Sequence, residues 1–230
     1  MKHKLRKPII ISLGGSLIFP EEIDLDFLNN FKNLLVSQIK KGNRFILITG
    51  GGKICRKYQG ALQISSSVNH QDLDWMGIYV TKTNANFIRL LFKDYSHKKI
   101  VDNPEEKYNF REKILLAGGW KPGCSTDKDA VLIAKTYEAE TVINLSNIDY
   151  LYNKDPKKHS DAKKILKSSW DELLKITGSK WKPGANFPFD PSAAKLAKEL
   201  GLKVIIANGK NLKNLSNILD GKTFEGTVVG

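Results

Sequence analysis

The sequence predicts an α/β fold in which helices cover both faces of a mainly parallel central sheet, giving a three-layer αβα sandwich. Short apolar, β-branched runs alternate with longer amphipathic stretches along the 230 residues, a pattern typical of parallel strands joined by helices. Three of these runs end in glycine loops, at residues 14–15, 50–52 and 118–119. Ligands of such sheets bind beyond the carboxyl ends of the strands, so the loops mark the expected site.

Each element is predicted from its hydrophobic spacing and from the residues that stop it. Strands are continuous apolar runs that end at glycine or polar residues, and helices place apolar residues three and four positions apart, as in 24–41. In chain order we predict strand 8–13, helix 24–41, strand Phe45–Thr49, helices 53–62 and 71–95, strand Ile114–Ala117, helix 127–137, strand 141–145, helices 170–176 and 191–200, strand 203–207, helix Leu212–Leu219 and a last edge strand, Thr227–Val229.

Two polar stretches lie between these elements. Residues 146–164 are rich in turn formers, and we predict no regular element there. Residues 98–113 are also polar, and they divide a single domain of residues 1–230 into an N-terminal half, about 1–113, and a C-terminal half, about 114–230. One continuous sheet is expected to span both halves.

Composition excludes several classes of protein. The net charge is +13, but the lysines are dispersed and no arginine-rich tract is present, so solvated lysines or anionic small-molecule ligands explain the charge better than nucleic acid does. No apolar run approaches the roughly 18 residues that a membrane span needs. The two cysteines, Cys55 and Cys124, fit no metal or redox spacing. We expect free thiols, a reducing cytoplasmic location, and no nucleic-acid or membrane partner.

The common nucleotide-binding motifs are missing. Residues 118–123 have the glycine spacing of a Walker A loop, but Cys124 stands where that loop requires lysine. No G-x-G-x-x-G motif follows a predicted strand. The sequence therefore predicts neither a P-loop nor a dinucleotide-binding protein of the usual kind.

The junctions between strands and helices nevertheless suit phosphate groups. Glycine lets the backbone approach a phosphate closely, and the following helix offers free N–H groups and the positive end of its dipole. The strongest case is the triple glycine 50–52, which Lys53 and Arg56 follow. Arg56 lies one turn into the predicted helix and would reach back to a bound phosphate. The alternative is a tight turn whose basic residues are merely solvated.

A second group of polar residues is Ser125-Thr126-Asp127 at the start of the predicted helix 127–137. Thr126 would hydrogen-bond a phosphate. Asp127 has two interpretations: it caps the helix, as an Asp in this position commonly does, or it organises Mg²⁺ and a neighbouring cation. Both interpretations remain open from the sequence.

Six segments occur in the order found in the uridylate kinases of the amino-acid-kinase superfamily: SLGGS, GGGKICRKY, LDWMGIYVTKTNA, GGWKPGCSTDKDA, NLSNIDYLYNKDPKK and FDPSAAKLA. The chain resembles the archaeal-type branch most, from about residue 9 to 229. The resemblance implies that Mg²⁺-ATP phosphorylates UMP to UDP. It also implies an acceptor-binding N-terminal half, an ATP-binding C-terminal half and a homo-oligomer, commonly a hexamer.

The resemblance also assigns roles to individual residues. The predicted catalytic group is Arg56, Asp127 and Asp190, with Lys53 added as a candidate cation to balance the charge of the phosphoryl group. The implied ATP-binding residues are Ser12, Leu13, Gly14, Gly15, Ser16, Gly52, Arg56, Ser146, Asn147, Tyr152 and Asp155. The implied UMP-binding residues are Gly51, Asp74, Trp120, Lys121, Pro122, Gly123, Cys124, Ser125 and Thr126. It identifies no protein ligands for the metal, and Mg²⁺ is expected to bind through the phosphates of ATP.

Three positions depart from the family pattern. Many members of the superfamily have a lysine where this chain has Ser12, so Lys7, Lys53, Arg56 or Mg²⁺ must balance the charge of the phosphoryl group. Trp120 replaces a threonine of the acceptor loop, and Tyr150 replaces a glycine on the donor side. Two alternatives to UMP phosphorylation therefore stay open: a kinase for another small phosphate, carbamate or carboxylate, and a non-catalytic nucleotide sensor or storage protein.

Overall fold

The computed structural model describes residues 7–154, 156, 158–178 and 187–230. The strands within these residues are β1 (Ile9–Leu13), β2 (Phe45–Thr49), β3 (Ile114–Ala117), β4 (Thr141–Ser146), β5 (Leu151–Tyr152), β6 (Lys164–Ile165), β7 (Lys167–Ser168), β8 (Lys203–Asn208) and β9 (Thr227–Val229). The helices are α1 (Gly15–Ile18), α2 (Leu25–Lys40), α3 (Gly52–Ser65), α4 (His70–Leu91), α5 (Thr126–Thr136), α6 (Trp170–Thr177), α7 (Pro191–Glu199) and α8 (Leu212–Leu219).

Seven strands form one sheet in the order β3-β2-β1-β4-β8-β9-β7. The strands from β3 to β8 run parallel, and β9 pairs antiparallel to β8. The chain builds outward from β1 to β3 and then returns to the other side of β1 with β4. The strand order therefore reverses between β1 and β4. In open α/β sheets, ligands bind at the carboxyl end of such a reversal.

Alternating residues of each strand face two separate apolar cores, which confirms the three-layer sandwich. Ile10 of β1 packs with helices α5, α6 and α7, whereas its neighbour Ile11 packs on the other face with α1, α2, α4 and α8. Both side chains are completely buried. A parallel sheet covered on both faces needs such continuous apolar strands, which explains why these segments are predictable from sequence.

Local hydrogen bonds fix where several helices begin. The Asp24 carboxylate accepts from the backbone N–H of Phe27 at 3.0 Å and caps α2. Asn69 and Asp72 form a reciprocal capping box at α4. Such caps satisfy backbone donors that the helix itself leaves unpaired.

The structure differs from the predictions mainly in the short elements and at the ends of two helices, of which the helix predicted as 53–62 continues to Ser65. Thr227–Val229 is not an edge strand, because β7 pairs with it on its outer side. The segment 146–164 holds β5, which pairs with β6, and α1 was also not predicted. Strands of two residues carry no periodic signal. The predicted helix 71–95 ends at Leu91, since Tyr95 turns back to donate to the Phe92 carbonyl at 2.8 Å.

Within the residues that the structure describes, no helix is both long enough and apolar enough to cross a membrane.

Candidate active site

The first two glycine loops pack directly against each other at the ends of β1 and β2. A Cβ atom on Gly15 would lie 2.1 Å from the backbone nitrogen of Gly52. Gly52 has a φ of +70°, and a Cβ there would lie 2.4 Å from the Gly15 carbonyl oxygen. No larger residue fits at either position. The glycines therefore have a packing role, and they place two helix starts, those of α1 and α3, side by side.

A buried amide side chain supports this junction from α4. The Asn84 side chain donates to the carbonyl of Gly50 at 2.8 Å and to that of Gly51 at 3.3 Å. Gly51, a predicted UMP-binding residue, is the residue immediately before α3. The backbone beside the candidate site is thus fixed by tertiary contacts as well as by the glycines.

Asp127 lies in the first turn of α5 and joins three other elements. One carboxylate oxygen accepts from the Ser12 hydroxyl of β1 at 3.4 Å and from the Asn144 side chain of β4 at 3.1 Å. The other oxygen accepts from the backbone N–H of Asp190 at 3.0 Å. Asp127 therefore sits at the carboxyl ends of β1 and β4, where the strand order reverses.

The interpretation of Asp127 as a helix cap is wrong. Helix α5 begins at Thr126, and its cap is Ser125, whose hydroxyl accepts from the backbone N–H of Lys128 at 3.2 Å. Since Ser125 fills the capping position, the Asp127 carboxylate is free to contact the strands. The structure thus removes one of the two alternatives that the sequence leaves open.

Asp190 lies next to Asp127 and caps α7. One oxygen accepts from the Ala193 N–H at 2.8 Å and from the Ser192 hydroxyl at 2.5 Å. The other oxygen, Oδ2, is buried and has no hydrogen-bond partner among the described residues. Burial, together with the charge of Asp190, raises the pKa of Asp127 to about 6. Two neighbouring carboxylates, one with an unpartnered buried oxygen, form a site suited to a cation.

The two predicted basic residues of α3 have different surroundings. Arg56 is exposed, and its guanidinium forms no ion pair with any described residue. Lys53 instead pairs with Glu21. Arg56 is therefore the more available of the two for an anionic ligand.

The third glycine loop contains a tight turn of residues 121–124. Pro122 is the second residue of the turn, Gly123 has a φ of +77°, and the Cys124 N–H donates to the Lys121 carbonyl at 3.1 Å. This combination is typical of a type II turn. The Asp74 carboxylate of α4 accepts from the Gly123 N–H at 2.8 Å. The structure thus brings together Asp74 and the loop predicted to bind UMP.

Two further contacts shape the same loop. The Gly119 N–H donates to the Thr81 hydroxyl at 2.7 Å, which attaches the start of the loop to α4. The Lys121 ammonium lies 3.6 Å from the centre of the Trp120 ring, a cation–π contact. The ring of Trp120, which departs from the family pattern, therefore has the positively charged Lys121 ammonium packed on its face.

Asp129 belongs to this site, although it was not among the residues selected from the sequence. It is only 1% exposed and its oxygens accept from the Trp120 N–H at 3.2 Å and from the Cys124 thiol at 3.1 Å. Burial raises the pKa of Asp129 to about 7. In the sequence it resembles an ordinary acid in the first turn of a helix, so no local pattern distinguishes it.

The remaining predicted residues of the donor side are distributed around the end of β4. Gly14 donates to the Leu145 carbonyl at 2.8 Å, which brings the first glycine loop beside Ser146. The Ser146 hydroxyl is buried and has no partner within the described ranges. Asn147 is exposed, and the Tyr152 ring meets that of Tyr150 edge to face. Leu13 is buried at the end of β1, Ser16 lies in α1, and Asp155 falls outside the described residues.

Comparison with known proteins identifies the family. The model of the "Amino acid kinase family" matches residues 7–208. A uridylate kinase from Thermoplasma volcanium is 36% identical over 221 residues, which cover 95% of each chain. A uridylate kinase from Pyrococcus abyssi is 31% identical and covers 96% of this chain and 98% of its own.

Solved structures agree with the sequence comparison. The crystal structure of a uridylate kinase from Archaeoglobus fulgidus superposes with a TM-score of 0.81 at 27% identity and covers 97% of this chain and all of its own. A UMP kinase from Bacillus anthracis, at 18% identity and a TM-score of 0.76, shares the fold. The chain therefore belongs to the amino acid kinase family, among the archaeal uridylate kinases.

Proposed function

We propose that this chain transfers the γ-phosphoryl group of ATP to UMP and releases UDP and ADP. One structural observation supports this function above the others. The loop held by Asp74 leads directly into α5, whose Asp127 meets Asp190 at the reversal of strand order. An acceptor bound by the loop would therefore lie beside the paired carboxylates. The relatives named uridylate kinase support UMP as the acceptor.

The transfer itself needs little acid–base chemistry. A phosphate oxygen of UMP would form a bond to the γ-phosphorus while the bond from that phosphorus to the β–γ bridging oxygen breaks, so that ADP leaves. The attacking oxygen is already anionic, and no proton must be removed from it. Catalysis of such a step depends on positioning and charge stabilisation, which is the role we propose for Arg56 and Lys53.

Mg²⁺ is the cofactor that we propose with ATP. Asp127 and Asp190, whose Oδ2 is buried without a partner among the described residues, offer oxygens that suit this hard cation or its bound water. The described ranges contain no group of three or more His, Cys, Asp or Glu side chains arranged to hold a metal ion, and we propose that ATP phosphates supply most of the ligands. When bound, Mg²⁺ neutralises charge on the phosphates.

The two substrates would occupy opposite sides of the carboxylate pair. We assign ATP to the C-terminal half and to the first glycine loop, with Ser12–Ser16, Gly52, Ser146, Asn147, Tyr152 and Asp155 as its contacts. We assign UMP to Gly51, Asp74 and residues 120–126. The hydrogen bond between Gly14 and Leu145 supports the first assignment, since it joins the glycine loop to the strand that carries Ser146.

We also propose that the chain forms a cytoplasmic homo-oligomer. Helices α3 and α4 expose several aromatic side chains, including Tyr58 at 50% and Tyr79 at 61% exposure, and Trp75 stacks on Tyr79. Exposed apolar surface of this kind commonly marks a contact between proteins. Light scattering after size-exclusion chromatography measures the mass directly, and a hexamer is the expected assembly.

A panel of acceptors tests the proposed activity. ADP release from Mg²⁺-ATP is measured with UMP, CMP, dTMP, isopentenyl phosphate, a carbamate, a carboxylate or no acceptor. We expect UMP to give the highest rate and CMP a much lower one. Preference for another acceptor would identify a different kinase of the same fold. Nucleotide binding without ADP release from any acceptor would indicate a sensor or storage protein.

A further inference from the structure

A buried carboxylate outside the catalytic group holds the acceptor loop together. Asp129 lies on α5 and is only 1% exposed. A carboxylate that is removed from water is costly unless hydrogen bonds compensate for the loss. The compensation for Asp129 comes from residues 120 and 124, outside its own helix.

The two donors stand at opposite ends of the turn. Trp120 precedes the residues 121–124 that make the turn, and Cys124 is its last residue. One oxygen of Asp129 accepts from Trp120 and the other accepts from Cys124, so the carboxylate joins the two ends of the turn. The tip of the turn is held from the other side, where the Gly123 N–H donates to Asp74 of α4. The loop is therefore hydrogen-bonded on one side to Asp129 of α5 and on the other side to Asp74 of α4.

These two carboxylates have different surroundings and hence different roles. Asp74 is half-buried at the tip of the loop and is the residue predicted to contact UMP. Asp129 lies beneath the loop, where a bound acceptor would not reach it. A change at Asp129 would alter the acceptor site only through the path of the loop backbone.

We propose that Asp129 is a positioning residue, which sets the conformation of residues 120–124 and thereby the affinity for the nucleoside monophosphate acceptor. This proposal rests on the proposed function, in which the loop binds UMP. It predicts a specific kinetic pattern: loss of Asp129 weakens binding of the acceptor and leaves binding of ATP unchanged, because ATP contacts the other side of the site.

Asp129→Asn tests the proposal with minimal change in shape. The amide nitrogen replaces one acceptor oxygen, so that a donor faces either the Trp120 N–H or the Cys124 thiol. We expect KM for UMP to rise about tenfold, as the loss of a hydrogen bond predicts, with KM for ATP and kcat within about twofold. The control is Asp220→Asn, because the Asp220 carboxylate at the end of α8 also accepts from two distant side chains, those of Gln38 and Lys41, at a position outside the site. The control should retain both KM values.

A second measurement does not require activity. Burial and the nearby Asp129 charge raise the pKa of the Cys124 thiol, so iodoacetamide should modify it slowly in the wild-type protein. Asp129→Asn should accelerate alkylation of Cys124 at least about fivefold, since it removes the charge and loosens the turn. The rate at Cys55, which is buried in α3, should stay the same and serves as an internal reference.

The kinetic and alkylation results together separate the positioning role from its alternatives. A raised KM for UMP alone, with faster alkylation of Cys124, supports the positioning role. Equal increases in both KM values, or unchanged KM and alkylation, would overturn it. If Asp129→Asn does not fold, Cys124→Ala removes one of the two hydrogen bonds and should raise KM for UMP about threefold; an unchanged KM would then overturn the proposal. A wild-type protein that does not phosphorylate UMP refutes the proposed function, whereas the alkylation rates still test the role of Asp129 in the loop.

Discussion

Replacement of Asp127 by asparagine separates a structural from a catalytic role for this carboxylate. The wild-type side chain accepts hydrogen bonds from Ser12, Asn144 and the backbone of Asp190. In Asp127→Asn one oxygen remains for the two strand residues. The amide nitrogen then faces the Asp190 N–H, so that one hydrogen bond is lost and a negative charge disappears.

The two effects on stability oppose each other. Loss of the hydrogen bond costs about 1–3 kcal/mol. The ordinary pKa of 3.8 rises to about 6 in the folded protein, which corresponds to a penalty of roughly 3 kcal/mol for the charged form. Removal of the charge at pH 8 relieves that penalty. We therefore expect the melting temperature of Asp127→Asn to change by only a few degrees.

The effect on catalysis should be much larger than the effect on stability. In the proposed function, the charge of Asp127 orders a cation or its bound water beside the transferring phosphoryl group, and Asp127→Asn lacks that charge. We expect kcat to fall at least about 100-fold, equivalent to roughly 2.7 kcal/mol of transition-state stabilisation. The assay is ADP release at saturating UMP and ATP, with the melting temperature of the same sample.

Asp26→Asn provides the control, because Asp26 is an exposed acid in the first turn of α2 and its loss should leave kcat unchanged. A normal kcat for Asp127→Asn would refute the catalytic role. Asp127 would then be a tie between β1, β4 and α7, and Asp190 would become the charged group to test.

Two further predictions follow from the site. Arg56→Ala should lower kcat/KM at least about 100-fold, since a phosphate-bound arginine contributes roughly 2–4 kcal/mol to the transition state; an almost unchanged value would make Arg56 a surface residue. The second prediction concerns stability and pH. The pKa of Asp129 is raised from 3.8 to about 7 in the folded state. Protonation of Asp129 therefore stabilises the folded protein fully below about pH 4, and this stabilisation is lost as the pH rises through 7. As the pH rises from 5 to 8, the free energy of unfolding of Asp129→Asn, measured in urea, should increase by roughly 2–3 kcal/mol relative to that of the wild type. A difference between the two proteins that does not change with pH would contradict the assigned pKa.

The long strands were predictable because their signal is local. Phe45–Thr49 and Ile114–Ala117 are continuous apolar runs bounded by polar or glycine residues, and the structure has the same bounds. Strands β5 and β7 have two residues each. They exist only because distant segments pair with them, and no pattern within two residues reports such a partner.

The site shows the same limit. The glycine loops were apparent from the sequence, but the contact between Gly15 and Gly52 depends on the register of β1 against β2. From the sequence the Asp127 side chain could be a cap or a functional group, and only the Ser125 hydrogen bond removes the first interpretation. Asp129 could not be found at all, because its burial depends on residues 118–125 folding over α5.

The fate of the γ-phosphoryl group tests the central claim most directly. The protein is incubated with UMP, Mg²⁺ and ATP labelled with ³²P at the γ-position, and the nucleotides are separated by chromatography. We expect the label in the β-phosphate of UDP, with ADP formed in equal amount and no transfer when UMP is omitted. Label that remains in ATP, or that appears only as inorganic phosphate, would contradict UMP phosphorylation by this chain.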